Sequence, residues 1–351
     1  MVVAAMDNGL TEKHDMTSRI AIFGAGSIGC FIGGKLLAAG NEVIFYGRPD
    51  LQIAVQTSGL RLTELEGNET LIPAEQITFS TDPAILSDAD LILVTVKSRD
   101  TETAGRTIRD HCSHYPSVIS LQNGIENTAI LRRLLPGYKV TGGMVPFNIL
   151  RMEQTVFHRG TEGTLILQES PETLPLQQAL ERAGLTTETH RDISSILWGK
   201  LLLNLNNAIN ALSGLPLRQQ LAQQAYRRVL ATCIRETLTV LRVANIRPAK
   251  TGKVIPNLLP LILTLPDPLF IKVAGAMLKM DDNARSSMWE DLQRGREPEV
   301  DYINGAVIRL GEKIGVATPA NQTITRLMRA AHANGKGSPS LSAEKLQNYF
   351  N

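Results

Sequence analysis

One short stretch near the start restricts the fold more than any other part of the chain. Arg19-Ile20-Ala21-Ile22-Phe23 is a strand-like apolar run, and it passes directly into Gly24-Ala25-Gly26-Ser27-Ile28-Gly29, whose last residues open a helix. Gly-x-Gly-x-x-Gly between a strand and a helix is a phosphate-binding turn. The first glycine permits the tight turn, the second lets the backbone approach a pyrophosphate, and the third lets helix and strand pack closely. Free N–H groups and the dipole at the helix start favour the anion. Gly24, Ala25, Gly26, Ser27, Ile28 and Gly29 are therefore candidate cofactor contacts.

The next 150 or so residues repeat the strand–helix rhythm, to about Arg191. Residues 20–23, 43–46, 91–96, 118–121 and 140–142 read as buried parallel strands, which is the pattern of a doubly wound sheet. Two more polar runs, 155–158 and 164–168, read as a hairpin extending that sheet. From about Asp192 strand signals stop, and helix-periodic stretches such as 193–212, 219–244 and 301–314 take over. The fold class expected is α/β. A Rossmann-type doubly wound sheet domain covers 19–191, and an all-helical C-terminal domain covers 192–351. Residues 1–18 are expected to be a flexible tail without the basic start and apolar stretch of a signal peptide. Met16 is an alternative translation start. The most apolar stretch, 254–271, carries Pro256, Pro260, Pro266, Pro268 and Asp267. It is too short and broken to span a membrane and reads as short buried helices joined by bends. The segment Gly335-Lys336-Gly337-Ser338-Pro339-Ser340 reads as a flexible turn before a last short helix.

Several partner classes are set aside by composition. A formal net charge of +2 on 351 residues, with no clustered basic tract, gives no nucleic-acid footprint. Cys30, Cys112 and Cys233 are odd in number and widely spaced, so neither a disulfide framework nor a zinc site is indicated, and a cytoplasmic location fits.

Charges at strand ends carry the cofactor argument further. An NAD enzyme usually places an acid near the end of the second strand to hold the ribose hydroxyls. Here Phe45-Tyr46-Gly47-Arg48 presents an arginine, and Lys97 ends a strand on the same edge of the sheet. An arginine fork suits a 2′-phosphate, so the pair favours NADP(H) over NAD. In the helical half, Leu197-Trp198-Gly199-Lys200-Leu201-Leu202-Leu203-Asn204-Leu205-Asn206-Asn207 is apolar almost all round. Lys200, Asn204 and Asn207 share one helix face. Lys200 either snorkels to a surface or points into a polar cleft, where an ammonium protonates a developing alkoxide. Ser287-x-x-Glu290 reads as a capping box, and Glu299 stands at a helix start, where a carboxylate is favoured in any case.

The chain resembles the ketopantoate reductase (2-dehydropantoate 2-reductase) family from Arg19 to roughly Arg326. The resemblance rests on motifs in order: the glycine run 24–29, Val94-Thr95-Val96-Lys97, Gln122-Asn123-Gly124, Leu197-Trp198-Gly199-Lys200, Ser286-Ser287-Met288 and Glu299-Val300-Asp301-Tyr302-Ile303-Asn304-Gly305. It implies NADPH-dependent reduction of a small 2-oxo acid, foremost ketopantoate to pantoate in pantothenate biosynthesis, by a monomer or homodimer with an interdomain active site. It implies Lys200 as general acid and Asn123 between nicotinamide and substrate. It places Asn204 and Ser287 at the substrate, Glu299 near nicotinamide ribose and substrate hydroxyl, and Arg48 and Lys97 at the adenosine phosphate; Asn207 is a substrate candidate from its place beside Asn204 on the helix. The chain departs from the family pattern at Ala208, at Asn283, in the apolar loop 142–148 and at Glu297-Pro298-Glu299. Those departures concern the substrate pocket and keep open a paralogue acting on another branched or aromatic 2-oxo acid. A non-catalytic NADP-binding redox sensor is the reading from another class, but a sensor needs neither Lys200 nor Asn123 nor Glu299.

Overall fold

The structure, a computed structural model, describes residues 18–250, 255–275 and 283–350; the tail expected over 1–18 lies, but for Ser18, outside the described residues. The first half runs β1 (Ile20–Phe23), α1 (Ser27–Ala38), β2 (Val43–Tyr46), α2 (Pro49–Ser58), β3 (Leu60–Thr63), β4 (Glu69–Ile72), β5 (Thr78–Ser80), β6 (Leu91–Val94), α3 (Thr101–His111), β7 (Ser117–Ser120), α4 (Asn127–Leu134), β8 (Val140–Met144), β9 (Ile149–Arg151), β10 (Val156–Arg159), β11 (Leu165–Gln168), α5 (Leu174–Arg182) and β12 (Thr187–His190). The second half is helical: α6 (Ile193–Asn204), α7 (Asn206–Ser213), α8 (Leu217–Ala222), α9 (Gln224–Val243), α10 (Leu259–Leu263), α11 (Asp267–Ala274), α12 (Ser287–Gln293), α13 (Val300–Ile314), α14 (Pro319–Asn334) and α15 (Ala343–Gln347).

The main sheet has the order β12-β11-β8-β7-β6-β1-β2-β5. From β5 to β8 neighbouring strands are parallel; β11 joins β8 antiparallel. Side chains of β1 alternate between two cores, Ile20 and Ile22 on one face, Ala21 and Phe23 on the other. Strands buried on both faces need apolar residues at every position, which is why they were visible in sequence. The chain order reverses between β1 and β6. Their carboxyl ends therefore border the crevice in which such sheets bind ligands.

The expected hairpin of 155–158 and 164–168 does not form. β10 belongs to a second sheet, β4-β3-β10-β9, whereas β11 lies between β8 and β12 of the main one. Phe157 is fully buried with Leu60, Leu62 and Ile72, and the small sheet packs against α1. Leu165 and Leu167 belong to the same core, with Leu176 and Leu180, but their strand pairs with β8 and β12. Helix α1 is thus held between two sheets. A side chain at Gly33 would strike Phe45 of the main sheet, and one at Gly34 would press on Leu62 of the small sheet.

In the helical half α9 is central, flanked by α7, α10, α13, α14 and α15. The run 193–212 is two helices that meet at Leu205, and 219–244 is interrupted at Gln223. The proline-rich stretch forms the expected short helices, but not wholly buried ones, since Leu258, Leu261, Leu269 and Ile271 are exposed. The segment 335–340 is not a loose turn. Ser338 Oγ donates to Ala211 O, Leu341 N–H to Leu212 O, and Tyr226 OH to Leu341 O, tying this stretch to α7 and α9. The two halves join where Ile193, Ile196 and Leu197 of α6 pack on Met144 of β8. That joint sets the far end of α6 over the sheet's carboxyl edge.

Candidate active site between the two halves

The glycine run has three different local roles. Gly24 has φ +105°, and a Cβ there would lie 2.5 Å from Val96 Cγ1. A Cβ on Gly29 would lie 2.5 Å from Gly24 O and 2.7 Å from Thr95 Oγ1, which donates to that same carbonyl. Gly26 differs. Its Cβ would meet nothing nearer than Gly24 O at 3.9 Å, and the residue is exposed. Gly26 also caps α1 without any side-chain acceptor for the first N–H groups. The fold itself leaves room for a larger residue at 26, and an open cradle of N–H donors fits a diphosphate. Beside it, Ala25 N–H donates to Tyr46 O, and Gly47 leaves just enough room for the Ala25 methyl. Ser27 and Ile28, half-buried, complete the first turn.

A buried polar network fixes the neighbouring strand ends. Gln122 Nε2 donates to Val96 O and to Thr101 Oγ1, and Gln122 Oε1 accepts from Ser120. Thr101 Oγ1 donates to Asn127 Oδ1, and Asn127 Nδ2 donates to Ser98 Oγ and to Asn123 O. Ser98 Oγ also donates to Asn123 O at 2.5 Å. Gly124, at φ +99°, completes the turn. The Asn123 backbone is thereby locked, which leaves its side chain aimed across the cleft. Nothing in sequence flagged Ser98, Thr101 or Asn127; each reads locally as an ordinary polar helix start.

From the helical half Lys200 reaches into the sheet half. Its Nζ donates to Asn123 Oδ1 at 2.7 Å and to Val145 O at 2.6 Å. The residue is half-buried by surface, but its ammonium lies deep among protein atoms. Burial lowers its pKa to about 8, and the negative charge of Glu299 opposes that shift. Glu299 precedes α13 without capping it; its Oε1 accepts the Ser98 N–H at 3.0 Å. Lys97, expected at a cofactor phosphate, pairs here with Asp291 at 2.5 Å, and Asp291 is buried. Arg48 sits before α2, exposed, with no hydrogen bond or ion pair from its guanidinium among the described residues.

The remaining candidates line the same helices. Asn204 and Asn207 are both half-buried, but the break at Leu205 puts them on different helices, α6 and α7, so the single helix face expected of Lys200, Asn204 and Asn207 is not kept. Their side chains, like that of exposed Ser287, make no hydrogen bond among the described residues. The capping frame is shifted by one. Ser286, not Ser287, caps α12, accepting from Trp289 N–H. Ser286 is itself held by Asn207 O and by Asn210 Oδ1, which accepts the Ser286 N–H. The shift frees the Ser287 hydroxyl. Ala208 is fully buried in the helical core and offers no polar group to the cleft. Sequence reasoning missed Asn210 and Asp291, although both lie in segments rich in polar side chains.

Residues 20–172 match the family model described as Ketopantoate reductase PanE/ApbA, and residues 192–332 match that of its C-terminal part. A 2-dehydropantoate 2-reductase of Halobacterium salinarum is 26% identical over 324 residues, covering 90% of this chain and 100% of that one. The crystal structure of a PanE/ApbA family ketopantoate reductase from Ralstonia eutropha JMP134 superposes with a TM-score of 0.77 at 29% identity, covering 91% and 99% of the two chains. D-mandelate dehydrogenase, in its ternary structure with NADH and anilino(oxo)acetate, shares the fold with a TM-score of 0.74 at 23% identity, covering 90% and 99%.

Proposed function

Because the chain belongs to the ketopantoate reductase family, whose members are oxidoreductases, we propose that it reduces 2-dehydropantoate to pantoate with NADPH, in the cytoplasm, within pantothenate biosynthesis. The observation that carries this reading is Lys200, a buried ammonium supplied by one half and hydrogen-bonded to Asn123 and Val145 of the other.

The cofactor would lie along the carboxyl edge of the sheet, with its diphosphate at Gly24–Gly29 and its adenosine phosphate toward Arg48 and Lys97. When bound, the reduced nicotinamide supplies hydride to the substrate carbonyl carbon. Lys200 donates a proton to the carbonyl oxygen as charge develops there, and water reprotonates the resulting amine. A pKa of about 8 keeps it charged near neutrality, yet makes it a better acid than an exposed lysine. Asn123 orients the ammonium, and Glu299 keeps a negative charge near it. The unpartnered side chains of Asn204, Asn207 and Ser287 are suited to the substrate's carboxylate and hydroxyl. Burial between the halves keeps water from the reacting carbonyl.

The test is oxidation of NADPH, followed by its nicotinamide absorbance, with a panel of 2-oxo acids. The proposal expects 2-dehydropantoate to have the highest kcat/KM. A second reading is favoured by the apolar Val145, whose carbonyl accepts from Lys200 at the site, and by the absence of a polar side chain at Ala208. Higher kcat/KM for an aromatic or another branched 2-oxo acid would select that reading. Cofactor binding with no turnover of any 2-oxo acid would select a sensor.

A further inference from the structure

The segment between α12 and α13 is laid over the end of β6. Lys97 Nζ pairs with Asp291 Oδ1, Arg99 Nη1 lies 3.5 Å from Glu297 Oε2, and Ser98 N–H donates to Glu299 Oε1. Arg296 stands in the middle of this strap. Its N–H donates to Asp291 O at 2.7 Å, closing a turn through Gly295 at φ +61°. Every acid of the strap has other company. Asp291 is held by Lys97, Glu297 by Arg99 and Glu299 by the Ser98 N–H, while Glu290 faces Arg294 at 4.0 Å.

Arg296 is half-buried, yet its guanidinium makes no hydrogen bond or ion pair among the described residues. The same holds for Arg48 on the opposite wall. The strap carries Arg296 over the carboxyl end of β6, and only β1 separates β6 from β2, after which Arg48 stands on the same sheet edge. Burial, Arg294, Arg48 and Arg151 all disfavour the Arg296 charge, and Asp291 alone opposes them. Cationic groups gathered at one edge with too few acids raise the energy of the free protein, and a multiply charged anion that enters among them lowers it. Arg48 follows β2, beside the β1 turn, where the adenosine ribose lies in a sheet of this kind.

We infer that Arg296, supplied by the helical half, binds the phosphate on the adenosine ribose of NADP(H) together with Arg48 and so sets cofactor preference from across the cleft. This rests on the NADPH reading above. Lys97, being committed to Asp291, has the lesser share. Two planar forks from facing walls suit a phosphate better than one fork and a paired lysine.

The test is equilibrium binding of NADPH, NADH and 2′-phospho-ADP-ribose to the full chain and to Arg296→Gln, Arg296→Lys and Arg48→Gln. Arg296→Gln is expected to weaken both 2′-phosphorylated ligands by about tenfold or more and to leave NADH within about twofold. Arg296→Lys should fall between. The ligand-free Arg296→Gln protein should melt no lower than the unmodified one, since no partner is lost. An unmodified protein that prefers NADPH, with Arg296→Gln retaining the full preference, overturns the proposal alone. Equal weakening of NADPH and NADH overturns it too, leaving Arg296 a structural part of the strap. An unmodified protein that binds NADH at least as tightly as NADPH overturns the cofactor reading and this proposal with it.

Discussion

The two walls of the cleft are built on different principles. On the proposed function, the sheet wall would bind through backbone. Its glycines, its strand order and the first turn of α1 form a cradle from adjacent residues, 24–29. The helical wall would work through side chains drawn from four separate places, with Lys200 and Asn204 on α6, Asn207 on α7, Ser287 on α12 and Glu299 before α13. A backbone site is local and depends on what a residue lacks. A side-chain site is assembled by packing and depends on what each residue carries.

That contrast is broken most sharply by removing the lysine. Lys200→Ala should lower turnover by about 10²–10⁴, with cofactor affinity changed little. Single-turnover kinetics beside a cofactor titration separate the two, and near-normal turnover would show that the helical wall does not supply the acid.

The sheet wall should respond in the opposite way. Gly26→Val adds a Cβ whose nearest heavy atom is Gly24 O at 3.9 Å, so its melting temperature should hold while NADPH affinity falls by about a hundredfold. Gly24→Val places a β-branched residue at φ +105° against Val96 and should lose stability itself. If both variants melt alike, the separation of binding from folding within the run is wrong.

A smaller effect sharpens the chemistry. In the proposed mechanism the protonated form of Lys200 is the acid, and that form is lost as pH rises through about 8. The kcat/KM for reduction should therefore be flat below that pH and fall about tenfold per unit above it. A profile flat to pH 10 would assign the proton to another donor. The smallest effect concerns the rim. Arg309 of α13 pairs with Glu126 across the cleft, both about half exposed. Arg309→Ala should cost below about 1 kcal/mol by denaturant titration and leave turnover alone. A larger loss would mean that rim pairs, and not the buried contacts of Lys200 and Asp291, hold the walls together.

The same division explains what could be read in advance. The central parallel strands β1, β2, β6, β7 and β8 were legible because burial on both faces keeps them largely apolar, whereas β5 and β12, parallel but at the two ends of the sheet, were not. Two more polar runs were read as strands but not placed. Thr155-Val156-Phe157-His158 and Thr164-Leu165-Ile166-Leu167-Gln168 look alike in sequence, and only their pairing partners, β3 and β9 for the first and β8 and β12 for the second, separate them. The capping frame misled by one residue because Ser286 and Ser287 are locally equivalent. Asn207 and Asn210, distant in sequence, select the first.

By itself, the sequence determined the α/β sheet, the change to helices near residue 192 and the nucleotide turn. Each depends on interactions between residues close in the chain, or on periodicity that any partner surface would satisfy. Only the tertiary structure decided that Lys200 bonds to Asn123 and Val145, that Asp291 takes Lys97, and that Arg296 is left without a partner opposite Arg48. Those outcomes turn on which distant charges and polar groups meet in a low-dielectric cleft. Pairing there is set by the docking of α6 and of the α12–α13 strap on the sheet, and no local pattern encodes it.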